Sequence, residues 1–162
     1  MAGLEPVIRE LSEKKLLGVS MEMSVAANQT PLLWKSFMPR RGEIQSVVSK
    51  DFWAVQVYPS DYFEKFDPDA RFLKWAAVEV DAVDAIPEGI EILEIPAGSY
   101  AVFHYQGLAK NPEIFHYIYA EWVPRSGYFL DDRPHFEILG DKFDRNDPSS
   151  EEEIWIPIKK HR

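Results

Sequence analysis

The chain contains no cysteine, which excludes disulfides, thiol chemistry and cysteine-based metal sites. It has no apolar run approaching the length of a membrane span and no basic, apolar leader. A cytoplasmic protein with no membrane association is therefore expected. No phosphate loop and no G-x-G-x-x-G occurs, and no Ser-His-Asp order carries a nucleophile elbow. The four histidines, His104, His116, His135 and His161, show no ligand spacing such as H-E-x-x-H, so neither a metal nor a cofactor is expected. Positive charge is short as well. A net charge of −9 argues against the phosphate contacts that dominate nucleic-acid affinity, and its field favours cationic small molecules.

What the chain does have is rings. Five Trp, seven Tyr and ten Phe in 162 residues exceed what a core of this size needs. The length suits a single domain spanning 1–162.

The sequence also runs through one pattern twice, about 1–83 and 84–162. In the first half, K-L-L-G-V-S-M-E-M at 15–23 reads as a strand. An aromatic helix-like run ending at Pro39 follows it, and then strands at 52–58 and 72–80. In the second half, S-Y-A-V-F-H-Y-Q-G at 99–107 leads to a helix-like run ending at Pro124. Strands at 135–139 and 153–159 complete it. Phe37 matches Trp122, and Trp75 matches Trp155. Polar residues at 28–30 and Pro31, then Asn111 and Pro112, are helix-start signals, and Ser126-Gly127 is a stop. Leu32, Leu33, Phe37 and Ile44 are expected on the buried face of the first helix. Pro6 to Leu11 reads as a strand, with 15–23 as a second strand or the far limb of a bent one. Residues 59–70 and 140–152 read as loops.

Alternation assigns faces. Ile154, Ile156 and Ile158 point one way, and Trp155, Pro157 and Lys159 the other. Phe136 and Ile138 oppose His135, Glu137 and Leu139. With the isoleucines under the helices, Glu137 and Trp155 are expected together on the uncovered face, with Trp75 beside them. A carboxylate among rings suits a flat, lipophilic cation, through stacking, cation–π contact and countercharge.

The segments I-P-A-G-S-Y-A-V-F at 95–103, W-V-P-R-S-G-Y at 122–128, R-P-H-F-E at 133–137 and E-I-W-I-P-I at 153–158 resemble the GyrI-like small-molecule-binding family. That family also supplies the effector-binding domains of AraC-type and multidrug-responsive MerR-type regulators. The resemblance implies an α+β fold of tandem β-α-β-β modules with pseudo-twofold symmetry. Its antiparallel sheet carries two helices on one face, and a ligand groove lies between the halves. It also implies Glu137 as the countercharge in that groove. Trp155, Tyr105, Trp75, Trp53, Tyr119 and Trp122 are candidate wall residues.

A stand-alone binding or sequestering protein for lipophilic cationic or flat aromatic compounds is expected, a monomer without direct nucleic-acid binding, since no basic helix-turn-helix precedes the first strand. The resemblance offers an alternative, a hydrolase acting on cyclopropane-containing DNA-alkylating compounds. Glu137 would then be the general acid or base, and Tyr105 would hold the substrate oxygen or water. A third reading is gyrase inhibition or another protein-interaction role, with the acidic residues around Glu151, Glu152 and Glu153 facing a basic partner.

Overall fold

The computed structural model describes residues 4–109 and 111–162. Nine strands make the sheet: β1 (Val7–Leu11), β2 (Lys14–Ser24), β3 (Phe52–Val57), β4 (Arg71–Val80), β5 (Glu91–Ile95), β6 (Gly98–Gln106), β7 (Phe129–Leu130), β8 (His135–Leu139) and β9 (Glu151–Lys159). Helix α1 (Thr30–Phe37) continues into a 3-10 segment (Met38–Glu43). Helix α2 (Glu113–His116) continues into a π-helical segment (Tyr117–Trp122) and then α3 (Val123–Ser126).

The starts and stops follow local chemistry. The Thr30 N–H donates to Asn28 Oδ1 at 2.9 Å, and the Glu113 N–H to Asn111 Oδ1 at 3.1 Å, so each asparagine satisfies a donor that a helix start leaves free. Pro39 sits in the first turn of the 3-10 segment; a ring without an N–H suits the tighter restart. Gly127 closes the second helix at φ 84°, a left-handed backbone that glycine adopts at least cost.

The strand order is β1-β6-β9-β8-β3-β4-β2-β5, and every pairing is antiparallel. Read from its two edges the order is symmetric, with the pseudo-twofold axis between β3 and β8. The central β3–β8 ladder runs from Phe52↔Leu139 to Gln56↔His135, with Ala54↔Glu137 at its middle. The edge strands are exchanged. β1 precedes the first module but pairs with β6 of the second; β5 precedes the second module but pairs with β2 of the first. Since β1 bends directly into β2 and β5 into β6, these two long strands form one ladder that curls the sheet into a barrel-like closure.

The closure gives the sheet an inside and an outside. Inside, Trp53, Trp75, Trp155, Tyr100 and Phe136 form one cluster with Leu16, Val55, Ile95 and Val102. Trp53 and Phe136 lie 4.6 Å apart, and Phe136 stacks on Trp155 at 5.4 Å. Outside, α1 buries Leu33 and Phe37 on Leu17, Met23, Ala76 and Val78. The second helix buries Ile114, Tyr117, Ile118 and Trp122 on Phe103, Ile154, Ile156 and Ile158. The isoleucines lie under the helix, as alternation implied. Leu32, expected on the buried face, is instead 52% exposed: the one-residue step from Leu33 carries it round the helix.

Candidate functional site

The site lies on the helix-bearing outer face, at the seam between the modules. Pairing register settles which side chains share it. Glu137 lies opposite Ile154 on one side and Ala54 on the other, and Ala54 lies opposite Ala76. Directly opposed residues share a face, so this row stands on the outer face. Ala54 beside Glu137 and Ala76 beyond it carry short side chains, so this row is a low strip of the sheet, a trough that other side chains cover: both alanines are buried, Ala76 beneath α1. The neighbouring row holds His135, Gln56 and Lys74, and Glu152 lies on the same face of β9, two residues from Ile154.

Glu137 and Trp155 are therefore on opposite faces, which corrects the shared face expected from alternation. Trp155 pairs with Phe136 and Val102 and lies inside the barrel with Trp75 and Trp53. Alternation within a strand fixes only relative orientation; the register with the neighbour decides which set meets the helices. The repeat alignment shifts as well. The twofold through the central ladder equates Ala54 with Glu137, Ala77 with Trp155 and Lys74 with Glu152, not Trp75 with Trp155.

Rings close over the trough. Tyr58 stands at the end of β3. Tyr62 and Phe63 come from the β3–β4 loop, Phe72 from β4, Tyr119 from the π-helical segment and His135 from β8. Phe63 stacks on His135 at 5.3 Å and lies 4.7 Å from Tyr119. Tyr58 lies 4.5 Å from Tyr62, 4.9 Å from Phe63, 4.9 Å from His135 and 5.2 Å from Phe72. The Tyr119 hydroxyl is 2.7 Å from His135 Nδ1. Of the wall candidates named from sequence, Tyr119 alone joins this cage. Trp122 packs edge-on against Phe103 at 5.2 Å under the helix and donates to Glu5. Tyr105 lies opposite Glu152 across β6 and β9, with its hydroxyl donating to the Leu108 carbonyl at 3.0 Å.

The electrostatics are those of charge taken out of water. Glu137 is 7% exposed and accepts a long hydrogen bond of 3.4 Å from Gln56 Nε2. Burial pushes its carboxyl up to about 7, against the pull of Lys74 and Gln56. Glu152 is 8% exposed; burial and then the Glu137 charge push it up to about 8, with Lys74 opposing. Burial lowers Lys74 while both glutamates support its charge, and its ammonium donates to Thr30 Oγ1 at 3.1 Å. Burial keeps His135 neutral, with its pKa down at about 3. It raises the Tyr58 and Tyr119 phenols well above their ordinary value, so both hydroxyls are donors.

The structure thus adds Lys74, Glu152, Gln56, Tyr58, Phe63 and His135 to the sequence candidates. The acidic tract is not one solvated patch. Glu151 pairs with His104 at 2.7 Å, Glu152 is buried, and Glu153 accepts from the Trp155 indole at 3.1 Å. Among the described residues there is no group of three potential metal ligands and no helix long and apolar enough to cross a membrane.

Comparison with known proteins agrees with this architecture. The family model described as GyrI-like small molecule binding domain matches residues 4–159. The transcriptional regulator BrlR of Pseudomonas aeruginosa is 31% identical over 132 residues, covering 78% of this chain. The match covers only 45% of that regulator's own length. Among solved structures, SAV2435 bound to tetraphenylphosphonium has a TM-score of 0.74 at 17% identity, covering 96% of this chain and 94% of that one. A hydrolase encoded by lin2189 from Listeria innocua has a TM-score of 0.57 at 13% identity, covering 98% and 94%. At those identities the two structures report the fold alone. The chain belongs to the GyrI-like small molecule binding domain family.

Proposed function

We propose that this protein binds lipophilic cations or flat aromatic cations at the seam between its modules, with Glu137 as countercharge. The single observation that carries this reading is a buried carboxylate on an alanine-floored trough under a cage of rings. Rings attract a delocalised cation through their faces. A carboxylate out of water attracts it more strongly than an exposed one does. The tetraphenylphosphonium held by SAV2435 is a compound of this class, and its likeness to this chain lends support of fold only. The indoles of Trp53, Trp75 and Trp155 play no part in this contact; they support the sheet from inside.

The test is calorimetric titration of wild type and Glu137→Gln with tetraphenylphosphonium. Saturable binding that weakens at least about tenfold in the variant, or about 1.4 kcal/mol, supports the reading. Equal binding by both proteins, or none by wild type, overturns it.

A second reading rests on the same carboxylate. A Glu whose proton is shared near neutral pH is suited to act as general acid or base, which favours turnover of a reactive electrophile such as a cyclopropane-containing alkylating compound. Chromatography of the recovered ligand separates the two readings: an unchanged compound supports binding, and one hydrolysed by wild type but not by Glu137→Gln supports catalysis by Glu137.

A further inference from the structure

The outer face of the sheet carries an imbalance that the pairing register exposes. The pseudo-twofold equates Lys74 of β4 with Glu152 of β9, and Ala54 of β3 with Glu137 of β8. A symmetric seam would repeat one charge pattern. This seam instead holds two buried carboxylates and a single lysine. Glu152 lies diagonally across from Glu137 on the adjacent strand, at a separation of roughly 7–8 Å between such positions. Lys74 stands on the opposite side of the trough and donates to Thr30, so neither carboxylate holds its ammonium in a hydrogen bond.

One lysine balances one carboxylate. The remaining negative charge, 7–8% exposed, is costly to maintain without a partner. Apart from Arg145, an exposed guanidinium on the β8–β9 loop, the other groups facing the pair are neutral. Gln56 reaches Glu137. Tyr58, Tyr62 and Tyr119 act on or beside it as un-ionised phenols. Tyr105 faces Glu152, and His135 is neutral. Arg145, from the β8–β9 loop, acts on Lys74 and opposes its charge.

We propose that Glu152 is a second binding carboxylate and Lys74 the site's resident cation, so that a cationic ligand enters in exchange for a proton. The proposal rests on the reading of the seam as a cation site. In the empty site one proton is held between Glu137 and Glu152. The ligand's positive charge replaces it, the proton passes to solvent, and Lys74 continues to balance the other carboxylate. Lys74 also sets selectivity: its fixed charge repels a second cationic centre and offers a donor to a carbonyl or hydroxyl on the ligand.

The experiment is calorimetric titration with tetraphenylphosphonium at pH 7 in two buffers of different ionisation enthalpy, which counts protons released per cation bound. It uses wild type, Glu152→Gln and Lys74→Met. Wild type should release most of one proton at pH 7 and almost none at pH 9.5, and its affinity should rise with pH between those values. Glu152→Gln should bind at least about tenfold more weakly and release little. Lys74→Met should bind more tightly and still release a proton. The wild-type count needs no variant to fold. Tetraphenylphosphonium binding by wild type without proton release, or equal release from Glu152→Gln, overturns the exchange while leaving the cation site intact. No binding by wild type overturns both.

Discussion

The Tyr119 hydroxyl and Nδ1 of His135 share a hydrogen bond of 2.7 Å, tying the π-helical segment to the sheet beneath it. Burial keeps His135 neutral and the phenol protonated, so the pair is a neutral hydrogen bond whose direction the imidazole tautomer sets. Tyr119→Phe would leave the ring nitrogen buried without its partner. The expected cost is about 1–3 kcal/mol, read as a lower midpoint in urea unfolding at pH 7. An unchanged midpoint would mean that water replaces the hydroxyl.

Phe63 fills the cage from a loop and remains 38% exposed, while its ring stacks on His135. On the proposed reading it stands where a flat ligand would bind. Phe63→Ala should therefore raise the association rate of a rhodamine cation several-fold in stopped-flow fluorescence, with a stability loss smaller than a core phenylalanine would give. A slower association would show that Phe63 is a contact rather than an obstacle.

Stability should peak in mildly acidic solution and fall on both sides. On the alkaline side, Glu137 and Glu152 are raised from 4.5 to about 7 and about 8. Between those values the folded protein holds protons the unfolded chain has lost, so stability declines as pH rises from 4.5 to 8. On the acid side His135 is lowered from 6.5 to about 3. The unfolded chain then binds the extra proton, and stability is lost as pH falls from 6.5 toward 3. With two carboxyls titrating against one imidazole, the alkaline limb should be the larger. Urea unfolding from pH 3 to 9 measures both, and Glu152→Gln should reduce the alkaline limb to the share of Glu137 while leaving the acid limb unchanged. A flat alkaline limb in wild type would rule out the raised carboxyls.

Gly18 lies against the backbone of β4 with no room for a side chain. A Cβ at this position would overlap the Ala76 carbonyl oxygen and lie 2.7 Å from Ala77 Cα. Backbone cannot yield as a flexible side chain can, so Gly18→Ala should cost at least about 3 kcal/mol. Thermal unfolding should show a large drop. Gly42→Ala, with nothing within 4 Å of the added carbon, serves as the benign control.

The two-module fold was legible because hydrophobic alternation, Asn-Pro helix starts and Ser126-Gly127 are local signals. The 3.6-residue pattern was less reliable in the second helix, where π-helical turns bring Trp122 into the buried set and leave Glu121 exposed. Glu137 is singled out by its motif, but the buried charges near it are not. Lys74 and Glu152 are alternating charges in strands of their own, and nothing in either segment says that they face one trough. That information lies in the register of β3 with β4 and β8, and of β8 with β9, which long-range packing sets. The tryptophans misled for the same reason: large rings are as useful inside a closed sheet as around a ligand.

The exchanged edges have a consequence for how this chain is made. Among the described residues, 7–11 pair as a strand only with 98–102, so this segment stays unpaired until that later strand has been made. The first module, though complete in its own strands, emerges with one border of β2 unpaired until 91–95 arrives. Contacts this distant in sequence slow folding. An exposed strand border during synthesis is open to mispairing. The mutual loan of edges means that neither module can be finished without the other, and a single-module fragment should be prone to pair with its own copies.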